Sequence, residues 1–244
     1  MRRGLAVGAL LVLAVAALAG FQTGRDAGPA TVYAAASLTD VFPKVSPSSR
    51  YQFGASNQLA LQITRGAPAD VFASASPAYT QQLFRDGRVE KPRTFATNSL
   101  VLAVPRSNPS KIRSVYDLAK RPKLKLVVAG ENVPIGLYTR EVLRRLALLR
   151  VLRKAVSQEP DVKGIVGKLA LGEADAGFVY ATDVRAASPR LVAIQLPKRS
   201  QPTIRYEAAV VKGAGNRESA LEFLADLLST DGRRELARAG FGLP

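Results

Sequence analysis

"TVYAAASLTD", residues 31–40, runs an apolar stretch into a hydroxyl and then an acid. Residues 31–36 read as a buried strand. Ser37 then starts a helix, with Asp40 three residues on supplying first-turn negative charge and a weak capping-box pattern. A strand passing into a helix through one small polar residue is the repeating unit of an α/β fold, and the pattern recurs down the chain.

Further strands are predicted at 50–53, 70–75, 99–105, 124–129, 176–180, 191–196 and 206–211. Between them, Ser56 or Asn57 caps a helix over 59–65 that stops at Gly66. Ser76 and Pro77 pair an N-cap with a first-turn proline for a helix ending near Gly87. A short helix is expected at 115–119. The turn-rich segment 130–136 feeds a long helix from about Tyr138, with an apolar stripe of Val142, Leu143, Leu146, Leu149 and Leu152 beside Arg140, Arg144, Arg145 and Arg153. Asp161 caps a helix over 162–171, and two more helices, 217–228 and 231–239, close the chain.

Composition bounds the chemistry. The 244 residues suit one large domain or two small ones, and nearly half are apolar, so a sizeable core is available. Arg2 and Arg3, the apolar run 5–18 and the Ala17-Leu18-Ala19 site read as a cleaved secretory signal over 1–19, since a spanning helix needs ~20 apolar residues. No Cys follows it, so neither lipid attachment nor a disulfide framework is available, which fits a periplasm or the cell-envelope exterior. Loss of Arg2 and Arg3 takes the net charge from +16 to +14. That field favours anionic partners in general, or is a solvated Arg-rich surface. Nucleic acid is not among the expected partners, because no basic run is interleaved with aromatics.

With neither His nor Cys in the chain, Ser-His-Asp and Cys-His nucleophiles and imidazole or thiolate metal sites are impossible. No S-x-x-K, G-x-S-x-G, P-loop or Rossmann glycine pattern is present either. Three junctions carry polar candidates: Ser37, Ser56 with Asn57, and Asp161. Each reads singly as a plain cap. Converging helix N-termini, in contrast, would bind an oxyanion through unpaired N–H groups without any Lys or Arg.

The stretches "VYAAASLTDVF", "FGASNQLALQITRGAPADVFASA", "NSLVLAVP", "VPIGLYTREVL", "DVKGIVGKLALGEADAGFVYATD" and the terminal "GFGLP" resemble, in order and over essentially the whole mature chain, the periplasmic molybdate-binding proteins of ABC importers. The resemblance implies a type II periplasmic binding protein fold: two α/β lobes, each a mixed sheet flanked by helices, joined by two hinge strands. Lobe one would comprise 30–97 and 207–244, and lobe two 98–206. It implies a binding protein, not an enzyme, that closes on molybdate or tungstate with no cofactor and no direct metal ligands, delivers it to a membrane permease, and works as a monomer. Matched position by position, it implies molybdate contacts from the hydroxyls of Ser37, Ser56 and Tyr180 and from the backbone N–H groups of Ile135 and Val162. Where the family often has further serines, Ala55 and Asn57 flank Ser56; Asn57 is a candidate extra donor, or the shell is leaner. The matched shell contains no carboxylate, so a protonated anion would leave its O–H unpaired. Sulfate or another tetrahedral oxyanion stays open as ligand, as do an exported enzyme using Glu173 and Asp175 and an envelope-binding protein exploiting its charge.

Overall fold

The computed structural model describes residues 28–244, so the expected signal segment 1–19 lies outside the described residues. Two five-stranded mixed sheets form the frame. Sheet one has the order β2 (Arg50–Gly54), β1 (Thr31–Ala35), β3 (Val71–Ser74), β10 (Ile204–Val210), β4 (Arg93–Asn98). Sheet two runs β7 (Ala155–Glu159), β6 (Leu126–Ala129), β8 (Ala176–Tyr180), β5 (Leu100–Pro105), β9 (Leu191–Gln195). In each, three parallel strands are followed by one antiparallel strand, β10 in the first and β5 in the second.

The central strands β3, β5, β6 and β8 are buried along their whole length, which is why they stand out in the sequence as unbroken apolar runs. Phe42, fully buried, anchors the core under sheet one, with its ring centroid 5.8 Å from Phe95 and 5.4 Å from Phe223. The chain passes between the sheets twice. Ser99 alone separates β4 from β5, and the return runs through 201–203 into β10.

Nine helices flank the sheets among the described residues: α1 (Phe42–Val45), α2 (Ser56–Thr64), α3 (Pro77–Arg85), α4 (Asp117–Lys120), α5 (Pro134–Arg145), α6 (Val162–Ala170), α7 (Ala181–Ala186), α8 (Arg217–Leu228) and α9 (Thr230–Ala239). Several differ from the sequence reading. Ser37 opens no long helix; it lies inside a single 3-10 turn, Ala36–Leu38, before the short α1. Helix α5 starts at Pro134 rather than near Tyr138, because Val133 is extended and Pro134 takes the first-turn position that needs no N–H donor. The same helix stops at Arg145: Ala147 adopts φ 56°, and Leu149 and Leu152 fall on a separate 3-10 segment, so the stripe does not continue past Leu146. Strands β4 and β7, absent from the sequence reading, lie at sheet edges and carry half-exposed polar residues that hide an apolar alternation.

Candidate functional site

The carboxyl ends of β1, β6 and β8 face a common crevice between the sheets, where the chain turns into the Ser37 loop, α5 and α7. A small cavity of about 20 Å³, enough for a water molecule, lies there. Ser37, Ser56, Ile135, Val162 and Tyr180 all line it. Asn57 does not, and its buried Oδ1 has no hydrogen-bond partner.

Each donor reaches the cavity for a local reason. Ser56 is the first residue of α2, whose N-cap, Ala55, offers no side-chain bond; the expected capping serine is therefore not a cap. Its Oγ accepts from the Ala75 N–H at 3.1 Å, which leaves its own proton to donate. Ile135 is the second residue of α5, and no side chain caps that helix, so its N–H keeps no partner in the helix. Gly136 makes this close approach possible: a Cβ there would stand 2.0 Å from the Gly130 carbonyl oxygen. At α6, Asp161 is the cap the sequence indicates. Its Oδ1 accepts from the Lys163 and Gly164 N–H groups at 2.8 and 3.1 Å, leaving the Val162 N–H open.

Tyr180 completes the shell, and Tyr206 stands behind Ser37. Tyr180, at the end of β8, is fully buried, and its hydroxyl is without a partner. Burial, ahead of the charges of Tyr206, Tyr138 and Asp183, pushes its pKa well above the ordinary 10, so it stays a neutral donor. Tyr206, on β10, holds its hydroxyl 3.0 Å from Ser37 Oγ and is likewise raised by burial. Asn98 lies on the other side of the Tyr206 hydroxyl. Its Oδ1 accepts the Ser99 N–H at 2.9 Å, which fixes Nδ2 toward Thr182 Oγ1 at 2.9 Å and Tyr206 Oη at 3.5 Å. An amide NH₂ only donates, so Tyr206 Oη accepts from Asn98 and keeps its proton available to Ser37 Oγ; either hydroxyl can donate in the Ser37–Tyr206 bond, and where Tyr206 does, the Ser37 proton is left for the cavity. Neither is singled out in the sequence, where Tyr206 reads as a strand residue and Asn98 only as the residue before one, at the head of "NSLVLAVP".

The wall contains no lysine or arginine, and small residues, among them Ala35, Ala36, Gly54 and Ala75, bring the backbone close. Beyond the five expected donors, a carboxylate, Asp161, also lines the cavity, held by the α6 N–H groups it caps. Glu173 and Asp175 lie elsewhere, on Lys168 at 3.5 Å and on the Lys125 N–H at 2.8 Å.

Residues 30–242 match the family model described as bacterial extracellular solute-binding protein. The chain belongs to that family. This solute-binding protein is 33% identical over 261 residues to the molybdate-binding protein ModA of Mycobacterium tuberculosis, covering 99% of this chain and 98% of the relative. Among solved structures it is similar to the substrate-binding domain of a putative molybdenum ABC transporter from Clostridium difficile, 27% identical with a TM-score of 0.64, covering 88% of this chain and 99% of that one. The fold also matches the periplasmic molybdate-binding protein of Azotobacter vinelandii at a TM-score of 0.77 and 23% identity, with the same coverage. No helix among the described residues is long and apolar enough to cross a membrane.

Proposed function

We propose that this solute-binding protein is exported, captures molybdate or its close analogue tungstate between two lobes, and delivers it as a monomer to the membrane permease of an ABC importer. In this reading the lobes divide at Ser99 and at 201–203, close to the expected 97/98 and 206/207, a choice supported by β4 ending at Asn98 and β10 beginning at Ile204. The observation that carries the reading is the convergence of five donors and no cation on one small cavity. The first turns of α2, α5 and α6 meet there, each worth about half a positive charge. Three hydroxyls supply the remaining bonds, and together they suit a compact dianion that needs no protein cation and no proton acceptor.

Ligand contacts drawn from both lobes favour the closed state, because only that state satisfies them all. Ser37 and Ser56 belong to lobe one, Ile135, Val162 and Tyr180 to lobe two. Sulfate carries the same charge as molybdate, so cavity size separates them. The test is calorimetric titration of the processed chain and of Ser37→Ala with molybdate, tungstate, sulfate and phosphate. The expected result is tight binding of the first two, weak binding of the others, and a loss in Ser37→Ala of about 1.5–3 kcal/mol, or roughly 10- to 150-fold. Equal affinity for all four anions, or an unchanged Ser37→Ala, would overturn it.

A further inference from the structure

Lys163 stands one residue past Val162 in α6, and its ammonium meets two carboxylates from different parts of the fold. Asp40 Oδ2 lies 2.5 Å away and Asp183 Oδ1 3.6 Å away. Asp40 sits three residues after Ser37, on the segment between the Ala36–Leu38 turn and α1, which packs with sheet one. Asp183 is on α7, three residues after Tyr180, with its side chain fully buried. Asp183 Oδ2 accepts the Tyr180 N–H at 3.2 Å, while its Oδ1 has no hydrogen-bond partner and only the charge of Lys163 nearby. One ammonium therefore ties the Ser37 segment to the two elements that carry Val162 and Tyr180. None of Asp40, Lys163 or Asp183 lines the cavity.

We propose that the Asp40–Lys163 pair is a clasp that forms when the two lobes close and sets how fast the oxyanion escapes, without touching it. This rests on the binding reading above. Lys163 and Asp183 both lie in lobe two and stay together when the cleft opens; only the bond to Asp40 crosses the cleft. Three neutral hydrogen bonds cross it as well, from Tyr138 to the Ala75 carbonyl at 3.3 Å, from Tyr79 to the Asn132 carbonyl and from Asn98 Nδ2 to Thr182 Oγ1 at 2.9 Å. The clasp is the ionic member of this set, so salt acts on it and not on the other three. Asp40 and Asp183 compete for one ammonium, so the buried carboxylate limits how firmly Lys163 holds Asp40. An ion pair breaks on opening and forms late on closing, so its loss appears in the dissociation rate.

The test is stopped-flow displacement of molybdate from the full processed chain, for the parent, Asp40→Asn, Lys163→Gln and the double variant. Each single variant is expected to release molybdate about two- to fivefold faster with little change in association rate. The double variant should release no faster than the quicker single one, because both break the same bond. Release from the parent should quicken between about 0.02 and 0.5 M salt while release from Asp40→Asn does not. Release rates equal to the parent's, or effects that multiply in the double variant, would overturn the clasp. A parent that does not bind molybdate at all would overturn the binding reading instead.

Discussion

At the scale of single residues, Tyr180 shows most clearly the difference between a group kept for the fold and one kept for a ligand. A buried hydroxyl without a partner lowers stability, since its desolvation is not offset. Tyr180→Phe is therefore expected to melt at the same or a higher temperature than the parent without ligand, yet to bind molybdate about tenfold or more weakly. Calorimetry and a thermal melt on the same preparation check both halves; a variant that loses stability and keeps affinity would make Tyr180 a core residue. The five lining residues are legible from sequence only because they sit inside recognisable stretches such as "AAASL" and "GFVYATD". Tyr206 lies in none of those stretches, and Asn98, though it opens "NSLVLAVP", is not marked there as part of the site. Their role depends on a bond between strands 108 residues apart, and no local pattern encodes it.

Among the elements, the central strands are legible because burial on both faces leaves apolar side chains no alternative, as in β5 and β8. The edges β4 and β7 are illegible because polar, partly exposed residues outnumber the apolar ones along them. Helix α5 is a third case. Its first turn looks like a loop, since "VPIG" is rich in turn formers; the extended Val133 and first-turn Pro134 start the helix there, and the missing Cβ of Gly136 lets that turn lie against the Gly130 carbonyl. This gives an element-scale prediction. Gly136→Ala removes a helix-weakening glycine worth about 1 kcal/mol, but places a methyl in the Gly130 carbonyl. The first turn of α5 must then shift, carrying the Ile135 N–H off the cavity. Molybdate affinity is expected to fall by at least about tenfold while helix content by circular dichroism is retained. Unchanged affinity would mean that the Ile135 N–H is not a ligand.

For the whole molecule, pH links stability to the buried Asp183. Burial, opposed by Lys163 and by the Tyr180 N–H and reinforced by Asp40, raises its pKa from 3.8 to about 7. The folded protein thus holds a proton that the unfolded chain has lost, and this group's contribution to stability falls as pH rises from about 4 to about 7. The groups facing it are Lys163 from α6, Asp40 from the segment before α1, and the phenols of Tyr180 and Tyr206. The melting temperature of the parent should decline across that window more steeply than that of Asp183→Asn, which cannot ionise but can still accept the Tyr180 N–H. Parallel profiles would show that Asp183 does not titrate there.

The crossing at Ser99 has a mechanical consequence. A longer connection would let the sheets swing apart and leave the cavity walls intact, but here one residue joins β4 to β5. The side-chain nitrogen of the residue before it, Asn98, straddles the joint, bonded to Tyr206 on one side and to Thr182 on the other. Asn98 and Tyr206 stand on the paired strands β4 and β10 of sheet one, whereas Thr182 follows β8 of sheet two, so a rotation about Ser99 would draw that nitrogen away from Thr182 and leave its bond to Tyr206 in place. Any movement at this joint would therefore be felt at α7, beside Tyr180, and not at Ser37.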